Sequence, residues 1–319
     1  VNPDGVAAFT RRNANSVDIN RNYGFAWQAG SWTGEAPFSE PESRAVRALS
    51  MARSFHHSLS MHSGSTSLGW VWNYQLDATP EEAWLAAACT TYADLTDQPG
   101  FWIGQGAYWY ITHGDTNDWS YGARGGHDYT LEITEEKTPP PDEIAAFLAY
   151  HLEPSLAFLR LGAESGIRGR VADAAGRGIE AGFSSPGAGW PGFADAETGA
   201  FARAMPPGTY TLRFAAEGYG AVERTVVVEP GLPTAFDVIL ERTAPPRITA
   251  VEGLEPSFEA PGEGLLCGPG LGGVASAALV RSGEPGPPVG VRAKGDCAVL
   301  DFAAALGAPL AEGEWDVLL

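Results

Sequence analysis

Three short segments near the start of the chain concentrate arginine and asparagine side chains. They are Asn2-Pro3-Asp4-Gly5, Arg11-Arg12-Asn13-Ala14-Asn15 and Asp18-Ile19-Asn20-Arg21-Asn22-Tyr23-Gly24. A planar guanidinium group can make two parallel charged hydrogen bonds to a carboxylate, and it can stabilise an oxyanion as it forms. An isolated arginine is usually a solvated surface charge. A functional role for Arg11 or Arg21 therefore depends on the pattern around it.

Two later segments place an imidazole and a carboxylate on predicted strands, Met61-His62-Ser63-Gly64 and Thr130-Leu131-Glu132-Ile133-Thr134. A neutral imidazole can bind zinc, and a carboxylate beside zinc-bound water can act as a general base. A catalytic zinc site needs three protein ligands, and His-x-x-Glu is a motif that would supply two of them. None of the six histidines is followed by Glu at the third position, and the chain contains no Cys-x-x-Cys.

The ordered set of these segments resembles the zinc metallocarboxypeptidases of the A/B and N/E types, and the first 22 residues match the N/E-type spelling. The resemblance implies a Zn²⁺-dependent enzyme that cleaves the C-terminal peptide bond of peptides or proteins. It implies that Arg21, supported by Asn20, binds the terminal carboxylate and that Arg11 holds the scissile carbonyl oxygen. His62 would be the late zinc ligand, and Glu132 would be the general base.

Aromatic residues between these segments resemble the family's mobile substrate-capping loop and the lining of its specificity pocket. They are Tyr108-Trp109-Tyr110, followed by Gly114-Asp115-Thr116-Asn117-Asp118-Trp119-Ser120-Tyr121. The resemblance implies that Tyr110 closes over bound substrate and that Asn117 helps to choose the C-terminal side chain. Asp115 stands where the family usually has a second glycine. An added carboxylate would favour Lys or Arg at the substrate's end, although Asp115 could equally cap a turn.

The missing His-x-x-Glu leads us to expect that the chain begins inside a larger catalytic domain and, as it stands, is inactive. A second hypothesis is a catalytically dead peptide-binding or surface protein that uses its β-rich part for contact. A third is an amidase that acts on cell-wall peptides. The pair Asn20-Arg21 favours a substrate with a free α-carboxylate.

The formal net charge of −19, spread along 319 residues, speaks against nucleic acid or an anionic membrane as a partner. No apolar run approaches the roughly 18 residues that a membrane span needs. The resemblance implies a secreted or periplasmic enzyme. In an oxidising compartment Cys267 and Cys297 could form one disulfide, whereas Cys89 lies on an apolar helix and is expected to be a buried thiol.

Strand signals alternate with helix signals up to about residue 162, which predicts an α/β catalytic domain with a mixed sheet flanked by helices and incomplete at its N-terminus. The runs Ser39-Glu40-Pro41-Glu42 and Thr79-Pro80-Glu81-Glu82 predict capping boxes at two helix starts. His62 is predicted to lie at the carboxyl end of a strand, where α/β proteins bind ligands.

From Gly166 onwards, short β-rich runs separated by Gly and Pro predict all-β sandwich domains. Residues 163–242 resemble the carboxypeptidase regulatory-like, transthyretin-like module, on the strength of Asp195-Ala196-Glu197-Thr198-Gly199 and Gly218-Tyr219. Residues 243–319 are predicted to form a second, incomplete β-rich domain, with strands around Val251, Leu266, Val280 and Val299. The β domains are expected to act as spacer, attachment or folding partner.

Overall fold

The computed structural model describes residues 2–185 and 190–243, and beyond them the backbone of strands that lie between residues 250 and 318. These residues group into two compact units, Val1–Arg242 and Thr243–Leu319. The predicted boundary at residue 162 lies inside the first unit, at the end of a long helix. The division of that unit into two domains stays a prediction.

The first part of unit one combines helices with a mixed sheet, as the alternating signals predicted. Its helices are α1 (Pro3–Ala8), α2 (Pro41–Ala52), α3 (Glu82–Ala93), α4 (Gly106–Trp109), α5 (Thr116–Arg124) and α6 (Ile144–Ala163), with a 3₁₀ turn at Ile19–Arg21. Its strands are β1 (His57–His62), β2 (Ser65–Trp70), β3 (Trp102–Gln105) and β4 (His127–Thr134). The sheet order is β1-β4-β2-β3, and β1 runs parallel to β4 while β2 runs antiparallel to it.

The two faces of this sheet differ sharply in polarity because side chains alternate along a strand. Tyr129 and Leu131 of β4 are fully buried in a core that includes Leu85 and Tyr92 of α3 and Phe158 of α6. The alternate positions of β4 and of the paired strand β1 carry polar residues, which are Asp128, Thr130 and Glu132 beside Ser58, Ser60 and His62. One face therefore stabilises the fold, and the other is available for chemistry.

The two predicted capping boxes do not form. Helix α2 has Glu40 as its N-cap residue and α3 has Glu81, and neither side chain makes a capping hydrogen bond. The Ser39 hydroxyl donates to the Glu40 carboxylate instead, 2.8 Å away. The Glu81 carboxylate is bonded to Arg203, which lies 122 residues away in sequence. Glu42 and Glu82, the acids of the two predicted boxes, accept instead from Asn13 and from Trp70, so tertiary partners take the place of the local ones.

The second part of unit one is built from strands. They are β5 (Ile167–Asp173), β6 (Gly182–Ser184), β7 (Pro191–Phe193), β8 (Ala200–Arg203), β9 (Gly208–Ala215), β10 (Val222–Val228), β11 (Thr234–Ala235) and β12 (Val238–Leu240). One sheet has the order β10-β9-β6-β7, and the other has β11-β5-β12 with β8 paired to β5. Their shared core contains Phe183, Phe201 and Phe214. The resemblance of this region to a regulatory-like module stays a prediction.

Unit two contains a sheet of order β13-β14-β17-β16-β15-β18. Its strands are β13 (Ala250–Glu252), β14 (Glu263–Cys267), β15 (Ala277–Arg281), β16 (Glu284–Lys294), β17 (Cys297–Asp301) and β18 (Asp316–Leu318). The four positions around which strands were predicted all lie in strands. The antiparallel register of β14 and β17 pairs the backbone of Cys267 with that of Cys297. Their side chains lie outside the described part, so the disulfide stays a prediction.

Among the described helices, none has the length and hydropathy that a membrane crossing requires.

Candidate active site

An open cleft with an empty volume of about 550 Å³ lies over the polar face of the mixed sheet. All eight residues singled out from the sequence line it: Arg11, Asn20, Arg21, His62, Tyr110, Asp115, Asn117 and Glu132. They come from positions spread over more than 120 residues of the chain. The fold therefore brings the predicted site residues together, while their individual roles remain proposals.

The arginine-bearing loops are held by the asparagines of the same motifs. Asn22 is fully buried, and its amide group donates to the Thr33 and Ala36 carbonyls, while its Oδ1 accepts from the backbone of Glu40. Asn13 donates to the Glu40 carboxylate at 2.7 Å and accepts from two backbone N–H groups of its own loop. These side chains replace regular secondary structure as the support for the loops.

Asp18 and Asn20 then set the positions of Arg11 and Arg21. The Asp18 carboxylate caps the 3₁₀ turn by accepting from the Asn20 backbone, and its other oxygen accepts from Arg11 Nε at 2.6 Å. The Asn20 side-chain oxygen accepts from the backbone N–H of Thr116, at the start of α5. The arginine loop is thereby tied to the helix that forms the opposite wall of the cleft.

His62 and Glu132 lie side by side, because the parallel register of β1 and β4 pairs them directly. Burial, together with the nearby charges of Arg11 and Arg21, lowers the pKa of His62, so its imidazole is neutral at pH 7. Burial raises the pKa of Glu132 to about 7, although Arg11 and Lys137 oppose that shift. One carboxylate oxygen of Glu132 is buried and has no hydrogen-bond partner among the described residues. Such a carboxyl group can both accept and return a proton near neutral pH.

A buried polar network forms the inner wall of the cleft. The Asn117 amide donates to Asp128 at 3.0 Å, and its oxygen accepts from the Thr130 hydroxyl at 2.9 Å. The Asp128 carboxylate also accepts from the hydroxyls of Ser58 and Ser60. Burial raises the pKa of Asp128 to about 6. The network connects β1, β4 and α5, so it fixes the orientation of the wall.

Asp115 is the N-cap of α5, which is the second of the two alternatives left open by the sequence. Its Oδ1 accepts from the Asp118 backbone at 2.9 Å, and its Oδ2 accepts from the Thr112 hydroxyl. The neighbouring Asp118 carboxylate accepts from the backbone N–H groups of Asn73 and Tyr74. Burial and the charge of Asp115 raise the pKa of Asp118 to about 8. Both carboxylates thus support the loops around the cleft.

Exposed aromatic residues form the rim of the cleft. Tyr110 ends the short helix α4 and is 47 % exposed, and its ring contacts Trp109 edge to face at 4.7 Å. Trp109 in turn packs against Trp102 at the start of β3. A rim residue exposed to this extent has room to contact a bound ligand.

His62 does not make a zinc site with the residues that the structure describes. In those parts of the chain, no group of three or more His, Cys, Asp or Glu side chains is arranged to hold a metal ion. His62 is the one histidine that lines the cleft. Zinc binding at catalytic strength therefore requires donors in addition to the described ones.

Several residues of the cleft were not identified from the sequence. Asn73 follows β2 and lines the cleft, and its amide reaches Asn117 at 3.4 Å. Asp118 and Asp128 support the wall from behind. The spacing of Asp118 and Asp128 carries no recognisable local signal. Asp128 stands two positions before Thr130, so both side chains lie on the same face of the strand, and that spacing could have pointed to Asp128.

The mixed sheet, with an imidazole and a carboxylate at paired strand positions beside two loop arginines, has the arrangement expected for a metallocarboxypeptidase. Residues 1–152 match the family described as zinc carboxypeptidase (Peptidase_M14). This match confirms the family resemblance for this part of the chain.

Two curated proteins that are similar to this chain are named as carboxypeptidases. Carboxypeptidase SOL1 of Arabidopsis thaliana is 27% identical over 183 residues, which cover 54% of this chain and 37% of that protein. Carboxypeptidase N catalytic chain of Mus musculus is 26% identical over 299 residues, which cover 76% of this chain and 64% of that protein. The chain therefore spans less than two thirds of the length of these relatives.

Among solved structures, the crystal structure of carboxypeptidase A from Helicoverpa armigera aligns with a TM-score of 0.45 and 22% identity, covering 50% of this chain and 49% of that one.

Proposed function

We propose that residues 1–162 form the substrate-binding part of a secreted or periplasmic zinc carboxypeptidase that removes C-terminal residues from peptides or proteins. The observation that carries the proposal is the convergence of Arg11, Arg21 and Glu132 in one cleft, since these three groups suit a free carboxylate, a developing oxyanion and a proton in transit.

In this proposal each residue acts on a defined part of the substrate. Arg21, whose loop is held by Asn20, pairs with the terminal carboxylate through its guanidinium group. Arg11, oriented by Asp18, donates to the scissile carbonyl oxygen as negative charge develops there. Glu132 takes a proton from the attacking water and gives it to the leaving amine, which its raised pKa permits near neutral pH. Tyr110 closes the rim over the bound end.

Zn²⁺ would be held by His62 together with donors outside the described residues. We accordingly propose that the 319-residue chain by itself is inactive. The regulatory-like module at 163–242 and the β-rich region after it are proposed to serve as folding partner or attachment domains.

A pair of peptides that differ only in a free or an amidated C-terminus tests the role of Arg21. Binding to the whole chain is measured by calorimetry, for the native protein and for Arg21→Met. A charged hydrogen-bonded pair contributes about 1.5–3 kcal/mol, so the native protein should prefer the free carboxylate by about 10- to 100-fold. Arg21→Met should abolish that preference.

The matched control is Arg12→Met, because Arg12 stacks on Trp32 and lies outside the cleft lining. It should keep the preference for a free carboxylate. Equal binding of the two peptides by the native protein would contradict the proposed function.

A second candidate function is peptide binding without catalysis, because the described residues lack a metal-binding group. The two functions separate when zinc content and turnover are measured on a protein that contains this chain together with further zinc donors. Stoichiometric zinc with peptidase turnover supports the enzyme, and carboxylate-selective binding without either supports the binding protein. An amidase acting on cell-wall peptides would not require the free carboxylate.

A further inference from the structure

We propose that the cleft accepts an uncharged C-terminal side chain and that Asn73 and Asn117 determine this preference. The inference rests on the proposed function and names the substrate class for the same site. It departs from the expectation, drawn from the sequence, that Asp115 would favour Lys or Arg.

The first observation concerns Asp115, which offers no free carboxylate to a ligand. Its side chain is 1 % exposed. Both oxygens already accept hydrogen bonds, one from the Asp118 backbone and one from the Thr112 hydroxyl. The carboxylate that could have paired with a basic side chain is therefore committed to holding the start of α5.

The second observation concerns the side-chain amides of Asn73 and Asn117, which line the cleft where a free carboxylate would be needed to bind a basic side chain. Asn73 and Asn117 line the cleft, and the Asn73 amide donates to the Asn117 oxygen. Asn117 is held from the other side by Asp128 and Thr130. Two connected amide groups present neutral dipoles and no formal charge. Because Asn117 is held on both sides, it cannot easily rotate to adapt to a charged ligand.

These observations disfavour both signs of charge in the ligand. An ammonium or guanidinium group placed beside the Asn73 and Asn117 amides would lose water without a neighbouring carboxylate that is free to pair with it, which is costly. A carboxylate would approach the buried acids Asp115 and Asp128. Since like charges repel, an acidic side chain beside this wall is disfavoured as well.

The remaining lining suits an uncharged group. Trp102 and Trp109 contribute aromatic surface to the rim, and Gly69, Gly104 and Gly106 line the cleft without side chains. A Cβ atom at Gly106 would lie 1.7 Å from Asn73 Oδ1, so Asn73 packs directly against that backbone. This contact fixes the Asn73 amide at the lining of the cleft.

Peptides that are identical except for their last residue test the inference. The residues are norleucine and lysine, which have similar length and shape, and glutamine and glutamate. Affinity for the whole native chain is measured by calorimetry, each peptide also being tested with an amidated end. Norleucine should bind at least about tenfold more tightly than lysine, and glutamine more tightly than glutamate.

Asn73→Asp adds a carboxylate at the cleft surface and should raise the affinity for the lysine peptide by about tenfold. Asn73→Ala removes the same amide without adding charge and should give no such gain. The melting temperature of each variant verifies that it folds.

The outcomes separate the two proposals. Selection of the free carboxylate with equal or tighter binding of lysine than of norleucine overturns the uncharged-pocket inference and leaves the proposed function standing. Loss of selection between free and amidated ends overturns the proposed function, and this inference falls with it.

Discussion

Replacing Arg203 with methionine should lower the free energy of unfolding of residues 1–242 by about 3–5 kcal/mol, because it leaves the buried Glu81 carboxylate without its charged partner. Arg203 lies at the end of β8 and is 1 % exposed. Its guanidinium group donates to the Glu81 carboxylate and to the Gly125 carbonyl, and it stacks 3.8 Å from the centre of the Trp190 ring. His127, at the start of β4, completes the cluster.

The pKa of Glu81 gives an independent magnitude. Burial alone would raise it, but Arg203, His127 and the Tyr121 hydroxyl outweigh burial and bring the pKa down to about 2. A carboxyl group that titrates near 4.5 when unfolded and near 2 when folded contributes about 3 kcal/mol. Because the folded pKa is the lower one, this contribution is complete above about pH 5 and is lost as the pH falls towards 2.

The assay is urea unfolding of the whole chain, followed by tryptophan fluorescence, for Arg203→Met, Glu81→Gln and the double variant at pH 7. The double variant should lose clearly less than the sum of the single losses, since it leaves neither charge buried alone. Arg168→Met is the matched control, because Arg168 is exposed on the neighbouring strand β5 and should change stability by no more than about 0.5 kcal/mol. A loss below about 1 kcal/mol for Arg203→Met, or a coupling energy near zero, would refute the reasoning.

Three further results are expected. Asn22→Ala should lower the free energy of unfolding by about 2–4 kcal/mol, because it leaves several buried groups without hydrogen-bond partners. The control Gln28→Ala, at an exposed position, should lower it by less than about 0.5 kcal/mol, and urea unfolding measures both. Unfolding the oxidised chain without reductant should release one titratable thiol, and a count of three would rule out the Cys267–Cys297 disulfide. Metal analysis after dialysis should find no stoichiometric zinc, and peptidase assays should find no turnover, because His62 lacks partner ligands in the described residues. Stoichiometric zinc or measurable turnover would contradict this expectation.

The strands that carry His62 and Glu132 could be predicted because their polar and apolar residues alternate within a few positions. The start of α5 was harder to predict. Asp115 could be assigned either to specificity or to a cap from its position alone, and the free N–H of Asp118 decided between them. That N–H is available because residues 116–124 form a helix, which the aromatic-rich sequence did not indicate.

The supports of the cleft could not be predicted, because each depends on a partner distant in sequence. Asn73 reaches Asn117 across 44 residues, and Asn20 reaches the backbone of Thr116 across 96. No periodicity or motif encodes such pairs. They arise only when the sheet register and the loop paths are both established.

The sequence by itself determined the family of residues 1–152 and the residues that meet in the cleft, because the spacing of Arg11, Arg21, His62 and Glu132 is a linear property of the chain. Only the tertiary structure decided that Asp115 caps a helix, that Asn73 joins the cleft and that Glu81 pairs with Arg203. The physical reason is that a buried polar group must find its partner wherever the fold brings one, and that choice is made in space rather than along the chain.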